Sequence, residues 1–224
     1  MHESVIVSAA RLPTGKFLGS LSSLPATDLG SRVIREAVAR AGIETSVIDE
    51  CIMGNVVSAG LGQAPARQAA LKGGLGPEVG ALTINKVCGS GLKAVMLAAQ
   101  GSATGDIDVA VAGGMESMSQ SPHVLKHNRT GKRMGDWPLH DTMFHDGLRC
   151  SFNDCAMGEL AENTATKFEI SRREQDIYAL HSHHKAIQAT KNGSFVNEIV
   201  PVNIESRDGT RTIYADEGPR ADST

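Results

Sequence analysis

Cys88 is the residue whose position in this sequence best suits covalent chemistry. It follows a short β-type run, residues 83–87, and is itself followed by Gly89 and Gly91. From Leu92 onward apolar residues recur at helical spacing, so the sequence predicts a strand, a sharp turn and a helix. The first N–H groups of a helix are unpaired and carry partial positive charge, which lowers the pKa of a nearby thiol and raises its reactivity. Cys88 is therefore a candidate nucleophile.

Other interpretations fit the same residues. A lone cysteine before a helix is often a buried core residue. The spacing Gly89-x-Gly91-x-x-Ala94 matches the dinucleotide fingerprint of NAD-binding oxidoreductases, and Glu116 lies near the end of the next predicted strand. A ketosynthase also carries its acyl chain on a cysteine in a similar turn. A non-enzymatic interaction module is a further alternative, and the Cys88 region alone leaves all of these open.

The bulk composition is that of an ordinary globular protein. The 224 residues are 41% apolar and 21% charged, with a net charge of −3, which is enough chain for one or two domains. The near-neutral charge argues against a general nucleic-acid binder. No apolar run approaches the roughly 18 residues of a membrane span. With no secretory signal apparent, we expect a cytoplasmic protein without structural disulfides. The four cysteines match no zinc spacing: Cys51, Cys88, Cys150 and Cys155.

The first half of the chain reads as alternating strands and helices. Apolar runs at 5–10, 52–57 and 107–112 predict strands buried on both faces. Between them the pattern predicts a helix capped by Thr27 and ended by Gly42, and another that begins at Pro65. This alternation is typical of βαβ units with right-handed crossovers, so we predict an α/β class.

The character of the sequence changes at Ser119. From there to Cys155 there is no long periodic element, and charges and histidines are frequent. Two helices are then predicted, over 157–168 and from the capping box Ser171-x-x-Glu174 to about residue 191. Strands are predicted over 195–204 and 210–214. On the second helix His181 and His184 could face one way, but no carboxylate completes a ligand set, so we predict no metal site.

Two motifs identify a family. Ile84-Asn85-x-x-Cys88-Gly89-Ser90-Gly91-Leu92 resembles the acyl-cysteine signature of thiolases, and residues 113–119, Gly-Gly-Met-Glu-Ser-Met-Ser, resemble their second landmark. Further matches follow in order: Met134-Gly135-Asp136, Asp141-Thr142-Met143, Asp146-Gly147-Leu148, Met157-Gly158-x-x-Ala161-Glu162-Asn163 and Ser171-Arg172-x-x-Gln175-Asp176. The resemblance runs from Val5 to Arg220 and favours a thiolase over the dinucleotide-binding and buried-core interpretations.

The resemblance implies a fold and a domain organisation. We expect a thiolase-like α/β fold with a mixed, mostly parallel sheet and helices on both faces. Residues 1–118 would form the N-terminal domain and residues 119–224 most of an α+β loop domain. A thiolase has a second α/β half, which supplies a histidine in a Gly-His-Pro motif and a cysteine in a Cys-x-Gly motif. Neither motif occurs in this sequence, so we expect the C-terminal domain to be absent and the chain alone to be inactive.

The resemblance also implies an activity. Cys88 would take an acetyl group from one acetyl-CoA, and a second acetyl-CoA would then give acetoacetyl-CoA; thiolysis is the reverse. Leu148 resembles a residue beside the pantetheine of CoA, Met157 the methionine of the acyl pocket, and Arg220 an arginine beside the CoA nucleotide. The family further implies coenzyme A thioesters as substrates with no bound cofactor, a role in lipid metabolism, and a homodimer or homotetramer.

One position departs from the short-chain biosynthetic pattern. Those thiolases carry a histidine before the acyl-pocket methionine, whereas this sequence has Ala156. Long-chain enzymes of fatty-acid β-oxidation also lack that histidine. The 3-ketoacyl-CoA thiolases therefore stay open as an alternative to the acetoacetyl-CoA enzymes.

Overall fold

The computed structural model describes residues 3–207 and 209–224. Its centre is a parallel three-stranded sheet of order β2-β1-β3, formed by β1 (Glu50–Gly54), β2 (Gly80–Ile84) and β3 (Ala110–Gly114). Three helices connect and flank these strands: α1 (Ala26–Ala41), α2 (Pro65–Gly73) and α3 (Ser90–Thr104). The α/β class with a parallel sheet is confirmed.

The helices cover both faces of the sheet. Met53 belongs to the buried cluster formed with α1 and α2, whereas a Cβ on the next residue, Gly54, would meet Ser90 at the start of α3. Successive residues of a strand point to opposite faces, so α1 and α2 lie on one side and α3 on the other. The buried members of the α1–α2 side are Ala26, Ile34, Val38, Ile48, Cys51, Met53, Ala66, Ala69, Ala70, Leu75, Val79 and Met115.

Local sequence signals located most helix boundaries. The α1 helix ends at Gly42, whose φ of 66° lies in the left-handed region that glycine adopts without strain. The Ser171 capping box is present at the start of α5. The predicted Thr27 cap is wrong: the N-cap is Pro25, and Thr27 lies buried inside the helix, where its side chain accepts a hydrogen bond from Lys72 Nζ.

The described residues from 115 to 224 form short hairpins and two helices. Strands β4 (His123–Leu125) and β5 (Leu139–Asp141) pair antiparallel, and a short π-helical turn follows at Met143–Leu148. The helices α4 (Met157–Lys167) and α5 (Arg172–Lys191) precede a second hairpin of β6 (Val202–Ser206) and β7 (Gly209–Ile213). The strand predicted over 195–204 is therefore shorter and begins later than expected, whereas the strand predicted over 210–214 is close to β7.

The predicted buried strand at residues 5–10 is wrong. This segment pairs with no strand in the described ranges, and the side chains of Val5, Ile6 and Val7 are each at least 69% exposed. Side-chain bonds hold it instead, with Ser8 Oγ donating to Ala37 O. A cavity of about 670 Å³, lined by Ile6 and Val111 among others, separates the segment from the edge strand β3. Its apolar composition indicated burial, but burial also needs a neighbouring strand.

A half-buried ion pair joins the beginning of the chain to its end. The Arg11 guanidinium donates to both carboxylate oxygens of Asp216, at 2.7 and 3.0 Å, and to Glu198 at 2.6 Å. These bonds, together with the Thr14 N–H, hold the pKa of the Asp216 carboxyl below its usual value. A carboxyl with a lowered folded-state pKa stabilises the fold above its unfolded pKa of about 3.9, and this contribution is lost as the pH falls through the folded value.

Asp216→Asn is therefore expected to lower the free energy of unfolding at pH 7 by about 1–2 kcal/mol. The difference from the unsubstituted chain should shrink as the pH drops below about 4, because protonation removes the same charge. Urea unfolding at pH 7, 5 and 3 measures both effects. Asp176→Asn is the matched control, since the Arg172–Asp176 pair is exposed and solvent screens it, so its loss should have a much smaller effect. Equal losses for the two variants, or a difference as large at pH 3 as at pH 7, would contradict the role assigned to the half-buried pair.

Candidate active site

Cys88 lies in the turn between β2 and α3, residues 85–89, here called the Cys88 turn. Val87 within it has a φ of 48°, in the left-handed region. For a β-branched residue this conformation costs on the order of 1–3 kcal/mol and persists only where neighbouring groups enforce it. The turn is sharp for this reason, and it leaves Cys88 exposed.

Side-chain hydrogen bonds enforce the strained turn. Asn85 Oδ1 accepts the Val87 N–H at 2.9 Å. Ser90 Oγ accepts the Lys86 N–H at 2.8 Å and donates to Val87 O at 2.6 Å, so one buried hydroxyl ties the start of α3 to both sides of the strained residue. The sequence motif Asn-x-x-Cys-Gly-Ser is thus the set of side chains that the turn requires.

Ser90→Ala should weaken this turn without removing the thiol. The loss of two hydrogen bonds at a buried hydroxyl is expected to cost about 1–3 kcal/mol in unfolding free energy. The rate of Cys88 alkylation by iodoacetamide should also change, because Val87 is then free to relax. Ser102→Ala on the same helix is the control: no side-chain hydrogen bond of Ser102 is formed within the described ranges. If both variants matched the parent in stability and alkylation rate, the restraint assigned to Ser90 would be wrong.

Cys88 lies at the start of a helix. It immediately precedes Gly89, the N-cap of α3, and the first turn of that helix carries no acidic residue. In the part of the chain that the structure describes, neither its Sγ nor its N–H makes a hydrogen bond. The N–H is therefore available to an oxyanion that forms on a thioester attacked by Sγ.

The buried-core interpretation describes Cys51 rather than Cys88. Cys51 is fully buried in the α1–α2 cluster, and this burial, with a smaller contribution from Glu50, raises the pKa of its thiol to about 12. A thiol so protonated and inaccessible is inert. Cys51 is thus a packing residue, whereas Cys88 is exposed and accessible to a substrate.

Glu116 has a role that the sequence did not reveal. Its carboxylate accepts hydrogen bonds from Asn55 Nδ2 at 2.9 Å, Val56 N–H at 2.8 Å and Val57 N–H at 3.2 Å. Asn85 Nδ2 in turn donates to Val56 O at 3.5 Å, which connects this loop to the Cys88 turn. A carboxylate committed to three donors is not free to bind a ribose, which weakens the dinucleotide interpretation.

Two glycines on the strands beside the Cys88 turn serve packing. A Cβ on Gly54 would lie 2.6 Å from the Ser90 backbone, and one on Gly114 would lie 3.2 Å from Gly91 Cα. The start of α3 therefore approaches β1 and β3 more closely than side chains at these strand positions would allow. A Cβ on Gly91 itself would make only ordinary contacts, at 3.5 Å or more.

Leu148 and Met157 lie near each other in a hairpin. An antiparallel bridge joins Arg149 to Ala156, and Leu148 and Met157 are the next positions outward in that register. A Cβ on the neighbouring Gly147 would lie 3.5 Å from Val57, so this hairpin begins beside the loop that Glu116 holds. Leu148 is thus connected to the Cys88 turn indirectly: its neighbour Gly147 lies beside Val57, and the adjacent Val56 accepts a hydrogen bond from Asn85 of the turn.

Arg220 lies elsewhere in the described structure. Its side chain is exposed, and its backbone N–H donates to His183 Nδ1 on α5 at 3.1 Å. No described contact joins it to Cys88, Leu148 or Met157. On α5 and elsewhere in residues 3–207 and 209–224, no three potential metal-binding side chains cluster.

Comparison with known proteins agrees with this geometry. The family model described as thiolase, N-terminal domain, matches residues 4–224. Over its own full length, the chain is 52% identical to an acetyl-CoA acetyltransferase of Allochromatium vinosum, 51% to one of Escherichia coli and 52% to one of Cupriavidus necator. It spans 57% of the length of each of these relatives. The chain belongs to the thiolase family.

Proposed function

We propose that this chain carries the acyl-accepting half of an acetyl-CoA C-acetyltransferase, with Cys88 as the nucleophile. The observation that carries the proposal is an exposed thiol in a strained strand-to-helix turn at a helix N-terminus. Relatives at about half identity that are named acetyl-CoA acetyltransferase support the choice of substrate.

The chemistry follows from the groups at the turn. The Cys88 thiolate adds to the thioester carbonyl of acetyl-CoA, and the resulting oxyanion accepts the free Cys88 N–H. Collapse of this intermediate breaks the bond to the CoA sulfur, which leaves as a thiolate and takes up a proton. The acetyl group is then held on Cys88 as a thioester of nearly equal energy, so the step is reversible.

Condensation with a second acetyl-CoA needs a base beside the acetyl-cysteine. In the described residues no histidine, carboxylate or other thiol is bonded to Cys88. Proton abstraction next to a carbonyl requires a positioned base. We therefore propose that the 224-residue chain accepts an acetyl group on Cys88. By itself it would neither form acetoacetyl-CoA by condensation nor cleave it by thiolysis.

Competitive labelling tests the proposal. The chain is incubated with iodoacetamide, with or without acetyl-CoA, and alkylation is mapped on the tryptic peptide that spans residues 87–93. Acetyl-CoA should slow alkylation at Cys88, whereas NADH should leave it unchanged. The peptide that spans residues 150–167 reports general thiol reactivity in the same sample. Protection by NADH instead of acetyl-CoA would favour the oxidoreductase alternative.

A 3-ketoacyl-CoA thiolase is the second candidate. Ala156 supports it, because its small side chain stands where short-chain biosynthetic thiolases have a histidine. Comparing protection of Cys88 by acetyl-CoA and by a long-chain 3-ketoacyl-CoA separates the two. Stronger protection by the long-chain thioester at equal concentration would favour the β-oxidation role. With either substrate, we propose that the protein acts in the cytoplasm, in lipid metabolism.

We further propose that the chain associates with itself as a dimer or tetramer. The outer edge of β3 is unpaired within the described ranges, and an unpaired edge is a template for another strand. The apolar side chains of residues 5–7 add exposed surface that favours association. The basic segment 123–133 would supply tetramer contacts. Light scattering from 1 to 100 µM, concentrations chosen around a typical micromolar dimer, tests this, and a monodisperse monomer throughout would contradict it.

No helix in the described ranges has the length and apolarity needed to cross a membrane.

A further inference from the structure

A hairpin at residues 149–156 places two cysteines opposite each other. Arg149 and Ala156 form its antiparallel bridge, and the Cys150 N–H donates to Cys155 O at 2.8 Å. The turn is closed by Asp154, whose N–H donates to Cys150 O at 2.9 Å and whose φ is 56°. Cys150 and Cys155 are thus the pair next to the bridge in this register.

This register brings the two thiols within reach of each other. Cys150 and Cys155 share one hydrogen bond, since Cys150 O accepts the Asp154 N–H instead of that of Cys155. Directly opposed residues of an antiparallel pair have Cα atoms about 4.5–5.5 Å apart and side chains on the same face. A disulfide needs a Cα separation of roughly 4.4–6.8 Å. Both thiols are free and only half-buried, so a small oxidant can reach them. Neither is part of the Cys88 turn.

The surroundings of the two thiols differ in a way that assigns their roles. Backbone N–H groups of Asn153 and Phe152 lower the pKa of Cys150, and Asn153 Nδ2 adds a contact to its Sγ at 3.6 Å. Partial burial raises the pKa of Cys155, with further contributions from Glu159, Cys150 and Asp154. Cys150 therefore forms the thiolate more readily, and Cys155 is the neighbouring thiol that can react with an oxidised Cys150.

We propose that Cys150 and Cys155 are a reversible oxidation site that forms an intrachain disulfide with hydrogen peroxide. The Cys150 thiolate attacks one peroxide oxygen, the O–O bond breaks, and a sulfenic acid and hydroxide result. The Cys155 thiol then attacks the Cys150 sulfur, the S–O bond breaks and water leaves. Overall two thiols and one peroxide give one disulfide and two waters. A dithiol reductant reverses the change.

The site lies in the hairpin whose flanking residues the thiolase resemblance places beside the substrate. Leu148 and Met157 flank the two cysteines in the same register. A disulfide fixes the spacing of the two hairpin arms, and so the spacing of those two side chains. This consequence rests on the proposed function, whereas formation of the disulfide does not.

Peptide mapping tests the proposal directly. The full chain in a Cys88→Ser background, which removes the exposed competing thiol, is treated with an equivalent of hydrogen peroxide and then with iodoacetamide. Trypsin releases residues 150–167 as one peptide that contains both cysteines and no others. The expected product is this peptide without alkylation and lighter by two hydrogen atoms. Treatment with dithiothreitol before alkylation should return it to the doubly alkylated form.

Single variants test the assigned roles. In Cys155→Ser, dimedone should trap a sulfenic acid on Cys150. In Cys150→Ser, Cys155 should be oxidised more slowly than Cys150 is in Cys155→Ser, because partial burial raises the pKa of the Cys155 thiol. Both substitutions keep the side-chain size, so loss of the fold is not expected, and circular dichroism checks this.

Two results would overturn the proposal, and a third would overturn the assignment of the two roles. The first is a doubly alkylated peptide after peroxide treatment. The second is a disulfide that joins residues 150–167 to another chain. The third, equal oxidation rates in the two single variants, would overturn the assignment of Cys150 as the attacking thiol.

Discussion

Replacing Cys88 with alanine is expected to lower the rate of acetyl transfer from acetyl-CoA to the chain by at least about a thousandfold. The remaining thiols cannot substitute for it. Cys51 is buried and inert, and Cys150 and Cys155 are half-buried, whereas Cys88 is exposed. Cys155 also precedes a helix N-cap, but Glu159 lies in the first turn of that helix, whereas the first turn of α3 carries no acidic residue. The measurement is the time course of radiolabelled acetyl incorporation into the intact chain.

The matched control for this experiment is the double variant Cys150→Ser/Cys155→Ser. It removes two accessible thiols and keeps Cys88, so it should incorporate acetyl at close to the parental rate. Retained incorporation in Cys88→Ala, combined with loss in the double variant, would assign the nucleophile to the hairpin instead.

Gly54→Ala is expected to cause the largest loss of stability among single methyl additions near the site, about 3 kcal/mol. The new Cβ would lie 2.6 Å from the Ser90 carbonyl carbon and 2.7 Å from Gly91 N. These are backbone atoms at the start of α3, so no flexible side chain can yield. The helix start must shift, and the Cys88 turn, which precedes it, must shift too.

Gly113→Ala provides the control on the neighbouring strand. Its Cβ would meet only Met53, at 3.7 Å or more, which is an ordinary contact. We expect its unfolding free energy to change by less than about 1 kcal/mol. Urea unfolding and the Cys88 alkylation rate are measured for both variants. Similar stabilities for the two would mean that the close approach of α3 to β1 does not constrain the fold.

Sequence reasoning succeeded where the signal was local. The order of strand, turn and helix around Cys88 follows from periodicity and two glycines, and α1 ends at Gly42 because the left-handed conformation favours glycine. The capping box at Ser171 involves residues three apart, so it too could be read directly. Each of these features depends on neighbours within one or two helical turns.

The features that sequence reasoning missed depend on distant partners. Residues 5–10 have the composition of a buried strand, but pairing depends on a neighbouring strand that no local pattern reports. Glu116 lies in a recognisable motif, yet its partners are residues 55–57. The Arg11–Asp216 pair joins residues 205 positions apart, and only the folded chain brings them together. Neither charge stood out in the sequence.

The proposed function depends most directly on an acetyl group bound to Cys88. The chain is mixed with acetyl-CoA, quenched in acid to preserve the thioester and, after the pH is returned to near neutral, digested briefly with trypsin. The peptide of residues 87–93, which contains Cys88 as its single cysteine, is then analysed by mass spectrometry. We predict one acetyl group on this peptide, removed by hydroxylamine and by added coenzyme A. An unmodified peptide at saturating acetyl-CoA, from a chain whose Cys88 still reacts with iodoacetamide, would contradict the proposal.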